Sequence, residues 1–81
     1  MPKPKVLHGQ EVVRIFDSFG FFVVDQRGSH IKLRRAAKDN TRETFTIPNH
    51  KELDRGTITS IFKQGARYIS ESELRAHFYS E

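Results

Sequence analysis

The chain has 81 residues, with 14 Lys and Arg against 10 Asp and Glu and a net charge of +4, a balance that attracts polyanions once the charge is clustered on one face. Its length supports one small domain over residues 1–81. With no cysteine it excludes disulfides, thiolate metal sites and cysteine nucleophiles, and leaves the redox compartment open with the cytoplasm as the default.

Met1-Pro2-Lys3-Pro4-Lys5 is not followed by a signal-type apolar segment, so residues 1–6 read as a basic leader expected to fray. Nowhere does an apolar stretch approach the ~18 residues that span a bilayer. Val12, Val13, Ile15, Phe16 and Phe19 then recur at the spacing of an amphipathic helix, with Glu11, Arg14, Asp17 and Ser18 on its other face. This predicts a helix over Gly9–Phe19, stopped by Gly20.

Phe21-Phe22-Val23-Val24-Asp25-Gln26 is rich in aromatic and β-branched residues and reads as a strand, with Arg27-Gly28-Ser29 as a tight turn after it. His30-Ile31-Lys32-Leu33-Arg34 alternates strictly, and Glu43-Thr44-Phe45-Thr46-Ile47 alternates again before Pro48 ends it. The polar stretch from Ala36 to Arg42 is expected as a mobile hairpin loop. A connector from Asn49 to Gly56 leads to a second helix marked by Ile58, Ile61 and Phe62, with Asp54 as its cap and Gly65 as its stop. Ser70-Glu71-Ser72-Glu73 fits a capping box opening a short third helix with Leu74 and Phe78 on one face. The order α-β-β-β-α plus a terminal helix is an α+β fold: a three-stranded antiparallel meander with helices over one face.

The other sheet face is where function is sought. If Ile31 and Leu33 point to the core, His30, Lys32 and Arg34 point together to the open face, spanning about 13 Å, a reach that suits successive phosphates. Thr44 and Thr46 on the next strand point the same way, as two hydroxyls able to bond phosphate or ribose. Solvated strand faces commonly carry Lys, Arg and Thr, so the pattern alone leaves binding and plain solubility open. Gly28-Ser29-His30 is more specific, because a turn there delivers a histidine to the head of the basic row. RNA carries its own nucleophile in the 2′-hydroxyl, so cleavage needs only proton transfer, suited to His30, and stabilisation of phosphorane-like charge, suited to Lys32 or Arg34.

Taken in order, Gly9-Gln10-Glu11-Val12-Val13, Phe19-Gly20-Phe21, Gln26-Arg27-Gly28-Ser29-His30, Thr46-Ile47-Pro48-Asn49-His50, Lys51-Glu52-Leu53 and the run from Arg55 to Gly65 resemble the HicA (YcfA-like) toxin family over Leu7 to Phe78. The resemblance implies a double-stranded-RNA-binding-domain-like fold and a type II toxin that cleaves mRNA through the histidine of Gly-Ser-His, here His30 with Gly28 and Ser29. It implies a HicB antitoxin as partner. The chain departs from many relatives in having Ile31 after the motif instead of a second histidine, His8 in place of a small polar helix cap, and a longer loop from Arg35 to Arg42.

His50 follows the third strand and can be read either as a second acid–base group or as an anchor for the connector. The N-terminal turn of the second helix at Gly56-Thr57, with Lys51 and Arg55 beside it, offers a phosphate site, though an ordinary helix start explains the same residues. His8, His30, His50 and His77 lack the short spacings of zinc ligands, so no metal and no cofactor is expected. Two other readings stay open: a non-catalytic RNA-binding module, and a protein-interaction domain whose sheet face docks an acidic partner.

Overall fold

The computed structural model describes residues 3–80; Met1 and Pro2 of the expected leader lie outside the described residues. The chain runs β1 (Lys3–Pro4), α1 (Gly9–Asp17), β2 (Phe22–Arg27), β3 (His30–Ala36), β4 (Arg42–Pro48), α2 (Arg55–Gly65), α3 (Glu71–Phe78) and β5 (Tyr79–Ser80). Strands β2, β3 and β4 form the expected antiparallel meander, and the helices lie over one of its faces. The fold is thus the α+β arrangement that the spacing and the resemblance both imply. No helix is long and apolar enough to cross a membrane among the described residues.

Alternation sorts the strands as the sequence requires. Ile31, Leu33, Phe45 and Ile47 are buried, and they meet Val12 and Phe16 of α1, Ile58, Ile61 and Phe62 of α2, and Leu74 and Phe78 of α3. At the centre, Phe16 packs edge-on against Phe45 with ring centroids 4.6 Å apart, and Phe21 against Phe45 at 5.0 Å. Large rings in this geometry account for much of the apolar burial in so small a core. Phe19 is only partly buried, edge-on to His77.

Several local expectations are corrected. Lys3 and Pro4 do not fray: they pair with Ser80 and Tyr79, and Lys5 donates its backbone N–H to the carbonyl of Phe78. β3 and β4 extend further than alternation indicated, to Ala36 and from Arg42, which leaves a hairpin loop of residues 37–41. It is tied by the Ala37 N–H to the Thr41 carbonyl and by Asp39 to Thr41. Gly65 does not stop α2 by a left-handed turn; it is the last helical residue, buried against Phe16 and Leu74, and Ala66 follows as the cap. The capping box at Ser70 does not form, because the Ser70 hydroxyl is hydrogen-bonded to Ser72 instead of to the helix backbone. A reciprocal cap forms where none was expected, at His8, whose N–H donates to the Glu11 carboxylate.

One side chain not singled out by pattern, Arg35, ties β3 to β4 and to the segments that follow α1 and α2. Its guanidinium donates to Glu43 of β4 at 2.6 Å, to the carbonyl of Phe19 after α1 at 2.9 Å and to the carbonyl of Tyr68 after α2 at 2.8 Å. It also lies over the Phe21 ring. A planar fork with five N–H groups is suited to such divided bonding.

Candidate active site on the open sheet face

His30 opens β3 directly after the two-residue turn Gly28-Ser29, with Arg27 as its register partner on β2 and Pro48 on β4. Gly28 takes φ +57°, a conformation in which a Cβ is strained, and so the turn uses glycine at this position. Four further bonds fix the turn and its surroundings. Gln26 donates its side-chain amide to the Gly28 carbonyl, and Asn49 donates its backbone N–H to the Ser29 carbonyl. Asn49 is itself held by Gln10, whose amide donates to its side-chain oxygen at 3.0 Å, while Gly9 donates its N–H to the His50 carbonyl at 2.9 Å. A Cβ on Gly9 would stand 2.6 Å from the Pro48 carbonyl oxygen, so the helix start can approach the end of β4 this closely only without a side chain.

Three separate stretches of the sequence, Gly9-Gln10, Gly28-Ser29-His30 and Pro48-Asn49-His50, are therefore one hydrogen-bonded unit. Its consequence is positional: the histidine stands on an over-determined turn at the edge of the open face.

On that face His30, Lys32 and Arg34 lie in a row, as alternation predicts, with Thr46 opposite Lys32 and Thr44 opposite Arg34. His30 and Lys32 are exposed, and Arg34 is partly covered, donating to the Thr44 hydroxyl. An open cleft of about 280 Å³ is lined by Asp25, Arg27, His30, Lys32 and Thr46. Two of these, Asp25 and Arg27, escape a strand-by-strand reading. The register shifts between Val23 and Asp25, so Phe22 pairs with Arg34 while Asp25 pairs with Lys32 and Arg27 with His30. The bulge turns Asp25 and Arg27 onto the face that unbroken alternation from Phe22 would deny them. A two-residue turn between Arg27 and His30 carries the signal, because counting back from it gives those pairings directly.

Asp25 and Arg27 form an ion pair at 3.2 Å, largely in solvent. Lys32 and Arg34 make no ion pair among the described residues. The cleft therefore offers one unpaired cation, Lys32, next to an imidazole, and Arg34 continues the row along β3 beyond it. Such a set can move one proton at a polyanionic substrate and place positive charge where negative charge develops.

The remaining candidates fall elsewhere. His50 and Lys51 line a separate depression of about 390 Å³ with His8, Gln10, Glu11, Arg14 and Asn49. His30 and His50 thus open into different clefts, and the backbone of His50 serves to seat α1. Arg55 lies at the start of α2, in a third groove. The amide of Thr57 at that helix start donates to the Asp54 side chain at 2.8 Å, so the expected phosphate position is filled by the protein's own carboxylate. Hydrogen bonds from the Thr57 backbone N–H, and then its hydroxyl, hold the Asp54 carboxyl below its ordinary range.

Residues 9–65 match the sequence model of a family described as the HicA toxin of bacterial toxin–antitoxin systems. The chain belongs to the HicA toxin family. The matched span contains the whole three-stranded sheet, the turn that carries His30, and the Gly9-Gln10 and Asn49 segments that brace it. Comparisons with curated proteins and with solved structures gave no match. As a HicA toxin the chain has a role within a toxin–antitoxin system; α3 and the β1–β5 pairing lie outside the matched span and complete the core around Phe78.

Proposed function

We propose that this HicA toxin is an mRNA endoribonuclease of the cytoplasm, that His30 is its catalytic acid–base group, and that a HicB-like antitoxin neutralises it. The observation that carries the reading is the seat of His30. A solvent-facing imidazole stands on a turn fixed by the Asn49-to-Ser29 bond, in one cleft with Lys32 and Thr46 and in one row with Lys32 and Arg34.

In this reading the RNA backbone lies along β3, with phosphate oxygens at Lys32 and Arg34 and hydroxyl contacts from Thr44 and Thr46. Gly28 and Ser29 keep the approach to His30 low. The His30 imidazole accepts the proton of the ribose 2′-hydroxyl as that oxygen attacks the adjacent phosphorus. The bond from phosphorus to the 5′-oxygen breaks, and the 5′-oxygen leaves with a proton from solvent. The products are a 2′,3′-cyclic phosphate and a 5′-hydroxyl. Lys32 and Arg34 stabilise the extra negative charge of the pentacoordinate state, the kind of electrostatic contribution that often dominates catalysis in a preformed site. Nothing in the sequence of steps calls for a metal ion or cofactor.

The reading is tested with purified protein and a synthetic RNA in the presence of a chelator. Cleavage is expected to persist, to leave cyclic phosphate ends, and to stop when the nucleotide before the cut is changed to its 2′-deoxy form. Cleavage of the deoxy form, or a strict need for added divalent metal, would contradict it. Binding of RNA without any cleavage would favour a non-catalytic module on the same face.

A further inference from the structure

A groove of about 970 Å³, larger than the 280 Å³ cleft of His30, lies on the helical layer and not on the His30 face. α2 buries Ile58, Ile61, Phe62 and Gly65, which turns its opposite flank to solvent. On that flank Arg55, Thr59 and Lys63 follow one another at four-residue spacing, and Arg67 continues the series in the turn after the helix, where Ala66 still donates to the Phe62 carbonyl. Ser60 and Gln64 stand beside them in the same groove. Twelve residues at about 1.5 Å each give a row of roughly 18 Å, the length of about five base steps of a duplex.

The chemistry of the groove is one-sided. Three cations, two hydroxyls and an amide line it, with no carboxylate and no aromatic ring among its described lining residues. Arg55, Lys63 and Arg67 form no ion pair among the described residues, unlike Arg35 and Arg75, which are matched by Glu43 and Glu71. The acid at the helix start, Asp54, is engaged by Thr57, so the unpaired cations run along the flank and not at the helix terminus. Without an aromatic platform the groove has nothing on which to stack an unpaired base, whereas its cations and hydroxyls match phosphates and 2′-hydroxyls.

We propose that the α2 flank of Arg55, Thr59, Ser60, Lys63, Gln64 and Arg67 is a second, non-catalytic site that holds the phosphodiester backbone of a folded RNA. It recognises helical backbone without sequence preference and is separate from the cleft of His30. A toxin with two such faces tethers a structured RNA by one while the other meets a flexible strand.

The test is fluorescence anisotropy with a labelled RNA hairpin and the full chain carrying His30→Ala, so that the probe stays intact whether or not the protein cleaves RNA. Adding Lys63→Gln and Arg67→Gln is expected to weaken hairpin binding about tenfold and to reduce the slope of log affinity against log salt by about 1.8, or 0.9 for each phosphate no longer neutralised. The single variants, each expected to lower the slope by about 0.9, keep the test decisive if the double variant loses stability. Unchanged affinity and slope in all three would overturn the proposal, as would a groove that instead captures an acidic peptide and leaves RNA binding intact.

Discussion

The backbone N–H of Asn49 donates to the carbonyl of Ser29 across 2.6 Å, so the end of β4 holds the turn that presents His30. Through Gln10 and Gly9 the same contact reaches the start of α1. The candidate site is thereby coupled to a helix on the far side of the sheet, and it can be disturbed without touching any residue in the cleft.

Gly9→Ala is expected to do so. Its Cβ would fall 2.6 Å from the Pro48 oxygen and 2.8 Å from the Asn49 Cα, both backbone atoms that cannot swing aside. Overpacking of this kind costs about 1–3 kcal/mol. Urea denaturation should show that loss, and RNA cleavage measured where the variant is still folded should fall as the turn shifts. Full cleavage with an unchanged midpoint would show that the brace has no role in the site.

Arg35 makes a different prediction. It links β3 to the ends of α1 and α2, and its partner Glu43 has a side chain only 15% exposed. Arg35→Ala strands that carboxylate and two carbonyls, at a cost of about 2–4 kcal/mol. Arg35→Lys recovers only part, since one ammonium cannot reproduce the divided fork. Thermal unfolding of both variants measures the ordering.

Asp54 gives a pH dependence. Its carboxyl is lowered from its ordinary 3.8, first by the Thr57 backbone N–H and then by the Thr57 hydroxyl. A depressed folded value means a stabilising contribution that is fully present above the ordinary value and is lost as pH falls through the folded one. Asp54→Ala is therefore expected to lie below the wild type at neutral pH, with the gap narrowing below pH 3.8. Urea midpoints at neutral and acid pH test this, and a gap independent of pH would contradict it.

The order of helices and strands was legible because burial is strictly periodic: Ile31, Leu33, Phe45 and Ile47 all point inward, and their neighbours outward. The basic row on β3 followed from the same period. What alternation could not show were departures from it. The bulge at Val24 brings in Asp25 and Arg27, and Arg35 acts through bonds to residues 16 and 33 positions away. Caps are less legible than the core because several side chains compete for each helix end. Asp54 takes its predicted place, while Ser70 turns to Ser72 and Glu11 caps from inside the helix.

Within the row, Lys32→Gln and Arg34→Gln are expected to lower the cleavage rate by about tenfold to a thousandfold with little change in folding, since both side chains are placed to meet developing charge and neither is in the core. Single-turnover cleavage at saturating RNA separates this from weaker binding. An effect confined to affinity would reassign the two residues to positioning alone.

The most direct test of the central claim is parallel induction of the wild type and of His30→Ala, following growth and the integrity of bulk mRNA. The account predicts that the wild type arrests growth and degrades mRNA, while the variant accumulates as a folded protein and does neither. Arrest and mRNA loss of equal extent from the folded variant would contradict it and remove His30 from the centre of the mechanism.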